Sequence, residues 1–142
     1  MQLRAILRAS AEHRIAIMFP MISTIEEIYQ AKAILEEVKK DLYISKLPFG
    51  DPKVGIMIET PSSALMADVL ATQVNFFSIG TNDLTQYTLA ADRTNPAVQK
   101  IADPYHPAII RLIYHTIQNA HKNYIPVAMC GELAGDTLAT PC

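Results

Sequence analysis

The chain has 142 residues, of which half are apolar and 18% are charged, and its formal net charge is −2. A chain of this length and hydrophobicity can bury a core, which excludes an intrinsically disordered protein. Its 12 basic and 14 acidic residues form no long run of either sign. We therefore expect no nucleic-acid partner and no membrane insertion, and a small substrate instead.

The first elements alternate between helical and extended patterns. Residues 2–11 read as an amphipathic helix, and the apolar run from Ile15 to Pro20 predicts a buried strand. Ser23 with Glu26 three residues later matches a capping box, and apolar residues then recur at helical spacing, which predicts a helix over residues 24–42. Two prolines and Gly50 mark the loop that follows.

The same alternation continues to the end of the chain. Apolar strands are predicted at residues 54–59, 75–80 and 125–130. Helices are predicted after Thr60 with Pro61 at the favourable first position, after Gly80, and from Pro107 to about Lys122. Continuous apolar strands alternating with helices indicate an α/β fold with a parallel sheet.

Two α/β architectures fit this pattern, a (β/α)₈ barrel and an open doubly wound sheet. Reactive side chains follow three successive strands, and neighbouring βα loops converge in this way on a barrel rim. We therefore expect residues 1–142 to form one unit, a partial (β/α)₈ TIM barrel of about four βα units. Since a complete barrel takes about 250 residues, we expect this one to be truncated at both ends.

Two carboxylates stand at the ends of neighbouring strands. Glu59 directly follows five apolar residues, and Asp83 follows the strand after it. Mg²⁺ takes one or two protein carboxylates and completes its octahedron with water and substrate oxygens, so this pair suits a magnesium site. The alternative is that each carboxylate caps the helix that follows.

Three more residues near the same rim could carry chemistry. Arg93 offers a planar fork for a phosphate or carboxylate, or is a solvated surface residue. Asn82 could bind a substrate oxygen or hold the turn after Gly80. Cys130 could act as a nucleophile or proton donor, or be a small buried hydrophobe. The four histidines have no metal spacing and are assigned no role.

These motifs together resemble the C-terminal phosphoenolpyruvate-binding domain of the PEP-utilising enzymes, a family with a (β/α)₈ barrel. FFSIGTNDLTQYTLAADR (76–93) is similar to the family signature, and the likeness extends from Gln2 to about Ala139. Within the family the chain looks most like the Enzyme I branch of the bacterial sugar phosphotransferase system. The strings that carry this closer likeness are IMFPM (17–21), IMIETP (56–61), TQYTLAADR (85–93) and MCGELAGD (129–136).

The resemblance implies a role for each candidate residue. Glu59 and Asp83 become Mg²⁺ ligands, and Asn82 and Asp83 contact phosphoenolpyruvate. Arg93 binds the substrate phosphate, and Cys130 protonates the enolate carbon to give pyruvate. The implied activity is transfer of the phosphoryl group of PEP to an enzyme histidine and then to the phosphocarrier protein HPr.

In the family, the accepting histidine and further substrate-binding arginines lie upstream of the segment matched here. Arg4 and Arg8 lie within the first helical pattern and are not those arginines. We therefore expect this chain alone to be inactive, in a cytoplasmic enzyme that is a homodimer at full length. The alternatives are a pyruvate phosphate dikinase type of enzyme, a non-catalytic dimerisation or interaction module, or a truncated product without an independent role.

Overall fold

A computed structural model describes residues 2–92 and 94–136 of the protein. Four parallel strands form one sheet in the order of the chain, β1-β2-β3-β4. The strands are β1 Ala16–Phe19, β2 Lys53–Ile58, β3 Phe76–Gly80 and β4 Val127–Cys130. The helices are α1 Gln2–Ala9, α2 Ile25–Ile44, α3 Pro61–Leu65, α4 Ala67–Ala71, α5 Thr81–Leu89 and α6 Pro107–Lys122, with 3₁₀ helices at Gln99–Ile101 and Glu132–Gly135.

The helix boundaries confirm most of the predicted elements. Helix α6 has the predicted bounds, and α2 begins and ends close to the predicted ones. The predicted capping box is displaced by one residue, because Thr24 is the N-cap and Glu27 its partner, while Ser23 donates its backbone N–H to Glu27 Oε2 over 2.7 Å. Both Ser23 with Glu26 and Thr24 with Glu27 match the capping-box pattern, so the sequence alone could not choose between the two pairs.

The helices cover one face of the sheet. Side chains on this outward face pack into two apolar clusters with the helices. The buried ones from the strands are Ile17, Val54, Ile56, Ile58, Phe77 and Ile79, and the partly buried ones are Phe19, Val127 and Met129. A sequential strand order with right-handed crossovers places every helix on the same side, as in a barrel wall, whereas a doubly wound sheet carries helices on both sides. The architecture is therefore that of a partial barrel.

The inward face of the sheet is the one that the helices do not cover. Cross-strand neighbours on this face are Met18 with Gly55, Met57 with Ser78, and Gly80 with Cys130. Met18 and Ala128 on this face are exposed, so β1 and β4 are not buried on both faces as their apolar sequences led us to expect. Their inward side chains are those that a barrel would enclose.

Candidate functional site

Glu59, Gly80 and Cys130 form a row across the carboxyl edge of the sheet. Ile58 pairs with Ile79 and Gly80 pairs with Cys130, so Glu59, the residue after Ile58, lies beside Gly80. A Cβ added at Gly80 would lie 3.0 Å from both Cβ and Oε2 of Glu59. Neighbouring strands are about 4.8 Å apart, so the row places the carboxylate and the thiol on either side of β3.

The Glu59 side chain is 3% exposed, which is unusual for a carboxylate. Its Oε1 accepts a hydrogen bond from the backbone N–H of Met21 over 2.6 Å, and its Oε2 faces Gly80. The helix that follows is capped by Thr60, which accepts from the backbone N–H of Ser63. Glu59 is therefore not the N-cap of α3, and one of its oxygens has no hydrogen-bond partner among the described residues.

Asn82 and Asp83 lie in the first turn of α5, which starts directly after β3. Gly80 is the N-cap and makes no side-chain cap, so the start of this helix is not closed by a side-chain oxygen. Asn82 Oδ1 accepts a hydrogen bond from the backbone N–H of Glu132 over 3.1 Å. The Asn82 side chain thus connects α5 to the turn after β4, a contact that its position in the sequence did not reveal.

Cys130 is the last residue of β4 and a free, partly buried cysteine. Its Sγ lies 3.3 Å from the carbonyl oxygen of Ile79 and 3.5 Å from Ser78 Oγ. Its own carbonyl accepts a hydrogen bond from Thr81 Oγ1 over 3.0 Å. Both the thiol and the backbone of Cys130 are therefore held by β3 and the residue that follows it.

Gly131 allows this close approach of two loops. Its φ is +93°, a conformation that side chains rarely adopt, and a Cβ there would lie 2.5 Å from Thr81 Oγ1 and 3.0 Å from Asn82 Oδ1. The contact joins the turn after β3 to the turn after β4. Sequence reasoning missed Thr81 and Gly131, although both belong to the quoted motifs, because their partners are about 50 residues away.

The structure thus brings together Glu59, the start of α5 and Cys130, while Arg93 and Cys142 lie outside the described residues. No group of three or more His, Cys, Asp or Glu side chains within residues 2–92 and 94–136 could hold a metal ion. Two of the histidines without an assigned role, His115 and His121, lie on α6 as predicted. Among the helices described, none is long and apolar enough to cross a membrane.

Solved structures with a similar fold support the barrel interpretation. A citrate lyase from Burkholderia xenovorans LB400 matches with a TM-score of 0.67 and 20% identity, covering 89% of this chain and 39% of that chain. An HpcH/HpaI aldolase/citrate lyase family protein from Burkholderia cenocepacia J2315 matches with a TM-score of 0.65 and 15% identity, covering 98% and 56%. At these identities the likeness concerns the fold alone.

Other relatives are much more similar to this chain in amino-acid sequence than these two structures are. Proteins named phosphoenolpyruvate-protein phosphotransferase are 55% identical in Priestia megaterium, 54% in Bacillus subtilis (strain 168) and 51% in Staphylococcus aureus, over 99% of this chain. The chain spans about a quarter of the length of these relatives, 25% in each case. The family model described as "PEP-utilising enzyme, PEP-binding domain" matches residues 1–142. The chain therefore belongs to the family of PEP-utilising enzymes.

Proposed function

We propose that residues 1–142 form part of a C-terminal PEP-binding barrel domain and hold phosphoenolpyruvate between a Mg²⁺ site at Glu59 and Asp83 and the thiol of Cys130. The observation that carries this proposal is the row formed by Glu59, Gly80 and Cys130, with Asn82 and Asp83 in the turn directly after it. The reaction is that of a phosphoenolpyruvate-protein phosphotransferase. This chain supplies the part of the site that binds PEP and forms pyruvate.

The donor chemistry of the row fits Mg²⁺. Glu59 is a buried carboxylate whose Oε2 faces the space that Gly80 leaves free, and Asp83 lies in the first turn of the next helix. Two carboxylates are sufficient because Mg²⁺ usually keeps several water or substrate oxygens. When bound, the ion neutralises charge on the phosphoryl and enolate oxygens of the substrate. A glycine is required at position 80 because a side chain there would fill the space beside Glu59 Oε2.

The start of α5 suits the phosphate group of the substrate. The first N–H groups of a helix have no intrahelical partner, and the helix dipole favours an anion at this end. Asn82 Oδ1 is occupied by the backbone N–H of Glu132, so the amide group of Asn82 is the part that donates to the substrate. Arg93 provides a further phosphate ligand in this proposal, since its guanidinium matches a phosphate with two parallel hydrogen bonds.

Cys130 donates a proton at the carbon end of the substrate. Loss of the phosphoryl group leaves an enolate, whose electron pair at the terminal carbon takes the proton from Sγ. The new C–H bond gives pyruvate, and the S–H electrons remain on sulfur as a thiolate, which water then reprotonates. A donor fixed on one face of the enolate protonates that face only.

The relatives support the phosphotransferase reaction over that of a dikinase, because those cited here are named phosphoenolpyruvate-protein phosphotransferase. In such a protein the phosphoryl group passes from PEP to a histidine of a separate domain and then to HPr. We further propose that the protein acts in the cytoplasm and that its full-length form is a homodimer. These assignments rest on the family relationship.

A chimera tests the proposal. Residues 1–142 replace the matching segment of the Bacillus subtilis relative, which is 54% identical, and formation of pyruvate from PEP is followed with HPr and Mg²⁺. We expect activity in the chimera, and loss of about 10²-fold or more in its Cys130→Ala variant with Mg²⁺ affinity unchanged. The matched control is Cys142→Ala, which should retain activity. Full activity of the Cys130→Ala chimera contradicts the proposed role.

A further inference from the structure

Ser78 is the polar residue of an otherwise apolar strand. It lies in β3 between Phe77 and Ile79, is 7% exposed, and faces inward on the same side as Cys130. Its Oγ makes one hydrogen bond within the described parts of the chain, to Cys130 Sγ over 3.5 Å. Burying a hydroxyl in an apolar strand is unfavourable unless it has a partner, and the thiol is that partner here.

The direction of the hydrogen bonds follows from the chemistry of the three atoms. The carbonyl oxygen of Ile79, 3.3 Å from Sγ, can only accept, so the thiol S–H donates a hydrogen bond to it. The sulfur is then the acceptor for the Ser78 hydroxyl. Cys130 Sγ therefore lies between one acceptor and one donor, both supplied by consecutive residues of β3.

We propose that Ser78 is a positioning residue for Cys130, orienting its thiol and stabilising the thiolate that proton donation leaves behind. This inference rests on the proposed function, in which Cys130 is the proton donor. When the enolate carbon takes the proton, the negative charge moves to Sγ beside the Ser78 O–H. Hydrogen bonds to ionised groups are about twice as strong as those between neutral groups, so the contact strengthens as the charge appears.

The backbone around Cys130 supports the same role. Thr81 Oγ1, which is fully buried, donates to the Cys130 carbonyl over 3.0 Å, and this fixes the residue independently of its side chain. The Cα of Cys130 is paired with that of Gly80 in the sheet. Because the backbone is held by these contacts, removal of the Ser78 hydroxyl changes the surroundings of the thiol and leaves the strand in place.

Infrared spectroscopy of the 142-residue chain tests the contact directly. In a Cys142→Ala background the S–H stretching band reports Cys130 alone, and its rate of alkylation by iodoacetamide at neutral pH reports the thiolate. We expect Ser78→Ala to shift the band and to slow alkylation about tenfold, the effect of losing one hydrogen bond to a charged group. Ser78→Thr, which keeps a hydroxyl, should restore both. Ser63→Ala removes another fully buried serine hydroxyl, which is bonded to Thr60, and should leave the band unchanged.

An unchanged band and an alkylation rate within twofold of the parent in folded Ser78→Ala would overturn the proposal. The proposal is also overturned if the Ser78→Thr chain folds but its S–H band lies where a thiol that accepts no hydrogen bond absorbs. This second test applies even if the Ser78→Ala variant does not fold. In the chimera, Ser78→Ala should lower kcat about tenfold with KM for PEP unchanged. If the Cys130→Ala chimera is active, the proposed proton-donor role of Cys130 is wrong, while the hydrogen bond from Ser78 to Cys130 seen by infrared spectroscopy is unaffected. The failure of the proposed function and the failure of this inference are therefore distinguishable.

Discussion

The backbone N–H of Met21 donates a hydrogen bond to Glu59 Oε1 over 2.6 Å and thereby joins the loop after β1 to the carboxylate after β2. Met21 has a φ of +55°, in the left-handed region. That conformation costs about 1–2 kcal/mol in a non-glycine residue. The hydrogen bond to a charged group contributes an energy of similar size in the opposite direction. The loop therefore holds one carboxylate oxygen and leaves the other directed toward Gly80.

Glu59→Gln should remove the stabilisation that the proposed Mg²⁺ site would give to the chain. The glutamine oxygen can still accept from the Met21 N–H, so the local geometry is retained while the negative charge is lost. We expect a melting temperature in metal-free buffer at least as high as that of the parent, because the Glu59 side chain is buried, its second carboxylate oxygen, Oε2, has no hydrogen-bond partner among the described residues, and a buried charge is unfavourable there. The rise in melting temperature on adding Mg²⁺, which follows from ligand binding to the folded state, should disappear.

The control for this measurement is Glu37→Gln, which removes the same charge from an exposed position on α2. It should respond to Mg²⁺ as the parent does. A parent chain whose melting temperature does not change with Mg²⁺ at millimolar concentration would remove support for a metal site formed by these residues alone.

Gly131→Ala should destabilise the chain by more than about 2 kcal/mol. The added methyl group meets Thr81 Oγ1 at 2.5 Å, and the left-handed φ of +93° is strained for alanine. Gly135→Ala is the matched control, because a Cβ there meets nothing within 4 Å. Urea unfolding of both variants measures the difference. Equal midpoints for the two would show that the contact between the two turns is not as tight as described.

Thr85→Val should leave stability unchanged or raise it by about 1 kcal/mol. Thr85 is 3% exposed on α5, and its Oγ1 has no hydrogen-bond partner among residues 2–92 and 94–136. An unpaired buried hydroxyl costs about 1–3 kcal/mol, and valine keeps the same shape without it. Thr116→Val is the matched comparison on α6, since its buried Oγ1 donates to the Leu112 carbonyl over 2.8 Å. We expect that variant to be the less stable of the two by thermal unfolding.

Thr24→Ala should cost about 1 kcal/mol of stability, the usual effect of losing an N-cap. Ser23→Ala keeps the backbone N–H that donates to the Glu27 carboxylate and loses the hydrogen bond from Ser23 Oγ to Thr60 Oγ1 over 3.2 Å. It should therefore leave the cap of α2 intact and retain the helical content of the parent by circular dichroism, whereas Thr24→Ala should lower it. A loss of helical content in the serine variant alone would assign the cap to Ser23.

Much of the architecture was predictable because it depends on local patterns. Continuous apolar runs indicated the four strands, and Pro107 marked the start of α6. The position of Glu59 at a strand end was predictable for the same reason. What could not be predicted is whether a strand is covered on both faces. Met18 and Ala128 are exposed because they lie on the inward face of the two edge strands, β1 and β4, whereas Ser78 on the same face of the central strand β3 is buried. The one-dimensional pattern does not show which strands lie at the edges.

The contacts within the candidate site were the least predictable part. The hydrogen bonds of Cys130 with Ser78 and Thr81 join residues 52 and 49 positions apart. Asn82 was predicted to bind a substrate oxygen or to hold its own turn, and the contact of its side-chain oxygen with the backbone N–H of Glu132 was not predicted. Such contacts depend on the register between strands, which is fixed only when the whole sheet has formed. The family signature identified these positions without indicating which atoms meet.

The long separation between Cys130 and its partners also has a consequence for the order of folding. Pairing of β4 with β3 closes a loop that contains α6, and contacts between residues so far apart in sequence form slowly because a long loop must close. The thiol reaches the Ile79 carbonyl only when these two strands are paired. A change in the alkylation rate of Cys130 during refolding should therefore report when the β3–β4 pairing forms.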